Sequence, residues 1–169
     1  MKQIALSLLM ENTSGVLSRI AGLFSRRGYN IDSITAGETT TPGVTRMTVV
    51  ASGEDEILVQ IRKQLAKLTE VLEIEELPEK DSVTRELILL KVRAKAEERQ
   101  QIIAVADVFR AKIVDVAQNS LTVELTGNQA KLEAFIRLLE NYEILEMART
   151  GIIGLFRGER SLGQEKEEK

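Results

Sequence analysis

The residues from Asn12 to Leu17 have the types and spacing needed to bind a small charged molecule. Asn12, Thr13 or Ser14 can each cap a helix start, because a short side-chain oxygen can accept a backbone N–H of the first turn. The N–H groups of a helix start also suit a carboxylate or another small anion. The stretch therefore predicts either an ordinary helix cap or an anion-binding helix start.

Asn30 and Ile31 could complete such a site, since they begin the second predicted strand. We expect them beside the same end of the sheet as the Asn12 turn, or beside that end in a partner copy. Side-chain or backbone oxygens there could accept hydrogen bonds from an ammonium group. Val16 and Leu17 would line an apolar pocket. The whole set suits an amphoteric ligand with a short, branched side chain.

Histidine and cysteine are absent from the sequence. Their absence excludes thiol nucleophiles, His-based catalytic triads, disulfides and the usual zinc sites. Acid–base catalysis would depend on carboxylates, lysines or the two tyrosines, and no segment sets a pair of them apart from ordinary surface charge. We therefore expect a non-catalytic chain without a bound metal.

The net charge of −3 is shared evenly between the two halves, which argues against nucleic-acid binding. The predicted third strand, VTRMTVVA, also lacks the aromatic residues on which RNA-binding modules of similar strand order stack bases. No apolar run approaches the roughly 20 residues that cross a bilayer. The alternating N-terminal run predicts a strand and not a signal peptide. We expect a cytoplasmic protein.

The hydrophobic pattern predicts two successive βαββαβ units. Alternation over residues 2–10 predicts a strand, and apolar residues at helical spacing predict a helix that ends near Arg27. A hairpin, a second helix and a fourth strand follow, and the order repeats after a polar joint that contains Pro78. Each unit is expected to be a four-stranded antiparallel sheet with both helices on one face, which is an α+β fold.

The sheet face away from the helices is expected to be partly apolar. In the first unit it would carry Ala5, Ser7, Leu9, Ile34 and Ala36, or the opposite set. Both sets contain apolar residues, which a small module usually hides against another chain or domain. We therefore expect self-association.

Six runs of sequence, taken in series, resemble the small, regulatory subunit of acetolactate synthase (acetohydroxyacid synthase). They are ENTSGVLSRIAGLFSRRGYNIDSITAGET, TRMTVVASG and QIRKQLAKLTEVLEI in the first half, and VTRELILLKVRA, VFRAKIVDVAQNSLTVELTG and ARTGIIGLFRGE in the second. The resemblance implies an N-terminal ACT domain over residues 1–77, which is an amino-acid-sensing module of ferredoxin-like topology. It also implies a ferredoxin-like C-terminal domain over residues 78–160, and we expect a charged, mobile tail over residues 161–169.

The resemblance further implies a homodimer in which two ACT sheets join edge to edge. A branched-chain amino acid, usually valine, would bind where the turn of one chain meets the second strand of the other. The residues implied to hold it are Asn12, Gly15, Val16 and Leu17 of one chain and Asn30 and Ile31 of the other.

The resemblance also implies a separate catalytic large subunit that uses thiamine diphosphate, magnesium and FAD. The small subunit would activate it and confer feedback inhibition in branched-chain amino acid biosynthesis. None of these cofactors is expected on this chain. The residues by themselves leave open a free-standing amino-acid sensor or adaptor that acts on a different partner.

Overall fold

The computed structural model describes residues 2–163. They form two compact units, residues 2–83 with 152–163 and residues 84–151, and each has two helices and an antiparallel sheet. The predicted α+β class is confirmed.

In chain order the elements are β1 (Lys2–Glu11), α1 (Val16–Arg27), β2 (Asn30–Glu38), β3 (Val44–Gly53), α2 (Asp55–Ala66), β4 (Val71–Glu76), β5 (Ser82–Arg93), α3 (Arg99–Val108), β6 (Lys112–Val116), β7 (Ser120–Gly127), α4 (Gln129–Leu138), β8 (Ile144–Arg149) and β9 (Ile153–Phe156).

The first sheet has the strand order β2-β3-β1-β4, with all pairs antiparallel. Successive side chains of a strand point to opposite faces. In β1 this alternation buries Ile4, Leu6, Leu8 and Met10 in the same core as the apolar residues of α1 and α2. Full burial of such a side chain contributes roughly 1.5–3 kcal/mol. The core therefore fixes the position of both helices on one face of the sheet.

Strand β2 contains a bulge at Asp32. Ile31 and Ser33 lie opposite consecutive residues of β3, so that Asp32 is an extra residue. The extra residue lets both Ile31 and Ile34 pack against the first core. Ile34 and Ala36 therefore lie on the helix side, and neither face predicted from strict alternation is right. The reason is that one inserted residue reverses the faces of all residues that follow it.

The open face of the first sheet is partly covered by the C-terminal segment. Leu9 forms a small apolar cluster with Leu77, Phe156 and Leu162, and each of the four is at most 9% exposed. The apolar surface at Leu9 is thus hidden by the chain itself. This face consequently gives less reason to expect self-association than its apolar residues suggested.

Backbone hydrogen bonds attach the same segment to the first unit. β9 pairs with β5, whose first two residues also belong to that unit. Beside this pairing, the Arg157 N–H donates to the Asp81 carbonyl at 2.8 Å. Further along, the Gly163 N–H donates to the Glu73 carboxylate at 2.6 Å. Residues 152–163 therefore belong to the first unit.

The units differ from the predicted limits of residues 1–77 and 78–160, because the C-terminal apolar residues pack on the first sheet. The predicted mobile tail begins at residue 161, yet Leu162 is buried. Residues 164–169 lie outside the described part of the chain.

The second unit repeats the layout, with the strand order β6-β7-β5-β8. Ile88, Leu90 and Val92 of β5 pack in one core with residues of α3 and α4. At the edge of this sheet Arg149 donates to the buried Glu86 carboxylate at 2.9 and 3.0 Å. This hydrogen bonding raises the pKa of the Arg149 guanidinium.

The four helices of residues 2–163 are short, at 10 to 12 residues each. None of them is long and apolar enough to cross a membrane.

Candidate functional site: the connection between β1 and α1

A short exposed connection, Asn12 to Gly15, joins β1 to α1. The Asn12 N–H donates to the Gly43 carbonyl at 2.9 Å, and the Thr13 N–H donates to the Glu11 carbonyl at 3.0 Å. The first of these bonds holds the connection against the turn between β2 and β3, and the second tightens the connection itself. Gly15 has φ 85° and ψ −6°, a left-handed conformation that any residue with a Cβ adopts at a cost. A glycine is thus required for the chain to enter α1 at this angle.

The first turn of α1 has no side-chain cap among residues 2–163. The prediction that Asn12, Thr13 or Ser14 caps it is wrong, because Gly15 occupies the cap position. The turn also contains no acidic residue, and the Arg19 N–H is the first to donate within the helix, to the Gly15 carbonyl at 3.0 Å. The N–H groups before it can therefore serve an external acceptor such as a carboxylate.

The two apolar residues at the helix start have different environments. Val16 is only 7% exposed and belongs to the first core, whereas Leu17 is 56% exposed. Leu17 is therefore the one of the two whose side chain is available to a ligand. Val16 can contribute its backbone N–H.

An ion pair fixes the orientation of α1 relative to the sheet. Arg19 pairs with Glu70, a carboxylate that is 9% exposed, and the Glu70 carbonyl accepts from the Glu11 N–H at 2.9 Å. The pair thus joins the first turn of α1 to the end of β1. It links the helix start to the strand that precedes the connection.

Asn30 and Ile31 lie at the opposite end of the sheet. Asn30 is opposite Ser52, which is opposite Gln3 near the start of β1. The connection instead follows Glu11, roughly 26 Å away along β1 at about 3.3 Å per residue. The six predicted site residues therefore do not meet within one chain. The expectation that they share one end of a sheet can hold only if a second copy supplies Asn30 and Ile31.

Strand β2 is an edge strand, paired on one side with β3 and with no strand of residues 2–163 on its other side. An edge strand presents unpaired backbone groups to which another chain can add. Its first residue, Asn30, lies at the end of the sheet near Gln3. Its last residue, Glu38, lies at the other end, which is the end where β1 leads into the connection.

The pattern of the sequence did not mark Asp32 as a site residue, yet its carboxylate is the centre of a hydrogen-bond cluster. It accepts from Gln3 Nε2 and from Asn30 Nδ2, each at 2.9 Å, and from Ser52 Oγ. The three donors belong to β1, β2 and β3. An isolated acidic residue in a predicted strand was the one available signal, and it could not reveal the bulge that brings these groups together.

Two family models match the chain. The model described as "AHAS small subunit-like ACT domain" matches residues 6–73. The model described as "Small subunit of acetolactate synthase" matches residues 85–158. The chain belongs to the acetolactate synthase small-subunit family.

Relatives of known name agree with this assignment. The acetolactate synthase small subunit of Mycolicibacterium smegmatis is 52% identical over 161 residues, which is 95% of each chain. The probable acetolactate synthase small subunit of Methanothermobacter thermautotrophicus is 49% identical over 158 residues, which is 93% of this chain and 94% of that one. The solved small subunit from Thermotoga maritima superposes with a TM-score of 0.85 at 41% identity, over 94% of this chain and 99% of that one.

The family assignment confirms the resemblance seen in the sequence. The chain is a small, regulatory subunit and not the catalytic one, and its first unit contains the ACT domain. As a small subunit of this synthase, it is a component of an assembly with the large, catalytic subunit.

Proposed function

We propose that this chain activates the catalytic subunit of acetolactate synthase and makes it sensitive to feedback inhibition by a branched-chain amino acid such as valine. The effector binds between the ACT domains of two copies of the chain. Thiamine diphosphate, magnesium and FAD belong to the catalytic subunit, and this chain holds none of them. The observation that carries the proposal is the separation of the site residues at the two ends of one sheet.

The connection has the chemistry to receive one end of a zwitterion. The uncapped start of α1 offers N–H groups, and the partial positive charge of a helix N-terminus favours a carboxylate. Asn12 adds an exposed side-chain amide beside it. Leu17 offers exposed apolar surface to a short branched side chain. An ammonium group then needs an acceptor, and the first turn of α1 contains no acidic residue to pair with it.

Pairing of two β2 edges supplies that acceptor. If two copies join antiparallel through β2, the Asn30 end of one strand lies beside the Glu38 end of the other. Glu38 is at the same end of the sheet as the connection. Asn30 and Ile31 of the second copy would thus come beside the connection of the first. The twofold symmetry of such a dimer creates two equivalent sites.

We call the junction of the two paired β2 strands the seam. A ligand bound across the seam contacts both copies and therefore stabilises one relative arrangement of them. It can shift the dimer only by the difference between its affinities for the two arrangements. Coupling free energies of this kind are typically about 1–3 kcal/mol, or roughly 5- to 150-fold in affinity. The catalytic subunit responds to the arrangement that the ligand favours.

The test is to combine the purified chain with the catalytic subunit and measure acetolactate formation with increasing valine, leucine or isoleucine. We expect activation by the wild-type chain and inhibition by at least one of the three amino acids. Asn12→Ala and Gly15→Val should each raise the inhibitory concentration about tenfold or more while activation persists, since about 1.4 kcal/mol of lost binding is tenfold. Lys95→Ala, in the corresponding connection of the second unit, is the matched control and should behave as wild type. If Asn12→Ala and Gly15→Val both keep the inhibitory concentration of the wild-type chain, the effector binds elsewhere.

A further inference from the structure

We propose that Asp32 is a positioning residue of the effector site, which holds the Asn30 amide with its oxygen toward the ammonium group of the ligand. This inference rests on the proposed function, because it concerns the half of the site that a second copy would contribute. Asp32 is not among the six site residues predicted from the sequence. The inference also states which end of the Asn30 amide faces the ligand.

The hydrogen bond between the two side chains determines that direction. Asn30 Nδ2 lies 2.9 Å from Asp32 Oδ1. An ionised carboxylate only accepts hydrogen bonds, so the NH₂ group of Asn30 must be the end that faces it. The amide orientation of an asparagine is assigned from its hydrogen-bond partners, and a carboxylate partner permits one assignment. The Asn30 oxygen is consequently the end that points away from Asp32, and an amide oxygen is an acceptor for an ammonium group.

Asp32 is itself held from two further directions. Gln3 Nε2 donates to Oδ2 at 2.9 Å from β1, and Ser52 Oγ donates to the same oxygen from β3. The bulge makes this possible, because Asp32 has no directly opposite residue in β3. These hydrogen bonds orient the exposed Asp32 carboxylate, and the carboxylate in turn orients the Asn30 amide. An amide that is already oriented loses less conformational freedom when a ligand binds.

The negative charge of Asp32 also favours an ammonium group at this end of the site. A carboxylate close to the Asn30 amide favours the ammonium end of a zwitterion and disfavours its carboxylate end. The α1 start has the opposite preference. The two ends of the proposed site thus require the ligand to bind in one orientation.

The experiment is a calorimetric titration of valine into the full-length chain, as wild type and as Asp32→Ala, Asn30→Ala and the double variant. Asp32→Ala should weaken valine binding about tenfold, in the range expected for a hydrogen bond to a charged group. Because Asp32 acts mainly by orienting Asn30, the double variant should lose less affinity than the sum of the losses in the two single variants. Asp32→Leu, which is similar in size and cannot accept a hydrogen bond, provides the same comparison if Asp32→Ala does not fold.

Two controls separate positioning from a general structural effect. Ser52→Ala removes one of the donors to Asp32 but leaves the Gln3 and Asn30 contacts, so it should weaken valine binding less than Asp32→Ala does. Asp55→Asn removes an exposed carboxylate of the same unit, whose Oδ1 lies 3.6 Å from Lys2 Nζ. This variant should bind valine with the affinity of the wild type. Unchanged affinity in Asp32→Ala, additive losses in the double variant, or an equal loss in Ser52→Ala would each overturn the role of Asp32. A wild-type chain that binds no branched-chain amino acid would instead overturn the proposed function.

Discussion

The two units of this chain share a topology but differ in the connection that leads into their first helix. In the first unit the connection ends at an uncapped helix start. Within residues 2–163 the start of α3 has no side-chain cap either, but in the second unit charged side chains occupy the connection before the helix. The Lys95 N–H donates to the Glu98 carboxylate at 3.1 Å, and the Arg99 side chain donates to the carbonyls of Ala117 and Gln118 at 2.9 and 2.5 Å.

The difference shows why one fold does not imply one function in both units. Glu97 and Glu98 place two carboxylates just before α3, where they disfavour an approaching anion. The connection from Asn12 to Gly15 contains no charged residue. A site for the carboxylate of an amino acid is therefore expected in the first unit and not in the second, which agrees with the general rule that function resides in sites and not in folds.

The open faces of the two sheets differ as well. In the first unit the C-terminal segment covers Leu9. In the second unit charged pairs lie across β5, with Lys91 3.5 Å from Glu146 and Arg93 2.5 Å from Glu143. The apolar cluster of the first face is thus covered by its own chain, whereas the second face carries ion pairs between exposed side chains.

The largest effect is expected at the C-terminal segment. Phe156→Ala should destabilise the first unit by about 3 kcal/mol, because it empties a buried aromatic position. It also removes the ring over which the Arg160 guanidinium lies, 3.9 Å from the centroid. Urea unfolding monitored by hydrogen exchange should show a lower free energy of unfolding for residues 2–83 and an unchanged one for residues 84–151. Leu155→Ala is the matched control, since Leu155 is 58% exposed on the same strand and should cost less than about 0.5 kcal/mol. Equal losses for the two variants would contradict the covering role of the segment.

A charge in the first connection should make it resemble the second. Ser14→Glu places a carboxylate near the start of α1 and should weaken valine binding about tenfold, or about 1.4 kcal/mol, through repulsion of the ligand carboxylate. Ser14→Gln, which has nearly the same size without the charge, should bind valine almost as well as wild type. Calorimetry on the two variants measures the difference. If they bind equally, charge is not what distinguishes the two connections.

A smaller effect is expected from the helix caps. Asn128 caps α4, and its side-chain oxygen accepts from the Lys131 N–H at 2.9 Å. Asn128→Ala should therefore destabilise the second unit by about 1 kcal/mol. Asn12→Ala should leave the stability of the first unit within about 0.5 kcal/mol, because Asn12 caps no helix. Thermal unfolding of both variants compares them, and a larger loss in Asn12→Ala would show that the connection has a structural role.

The sequence was sufficient to predict the order of elements and the main core, because both depend on local periodicity. The alternation that predicts β1 is the one that buries Leu6 and Leu8, and Gly28 ends α1 in a left-handed conformation as expected. The family was also recognisable, because its sequence runs extend over both units.

Other features depend on contacts between distant residues and could not be predicted. The bulge at Asp32 arises from pairing with β3, and it reverses the faces of the strand after Ile31. The cap position of Gly15 follows from the path of the connection. Phe156 is apolar in sequence, but only the folded chain shows that it packs against Leu9.

The most direct test of the seam between two copies is a mixture of Asn12→Ala chains with Asn30→Ala chains. Each variant alone has both of its sites damaged and should bind valine weakly. In a mixed dimer one site combines the intact Asn12 of one chain with the intact Asn30 of the other. After subunit exchange, verified by native mass spectrometry, calorimetry should therefore detect wild-type affinity in about one quarter of all sites. If mixed dimers form and no tight site returns, the effector does not bind between two copies of the chain.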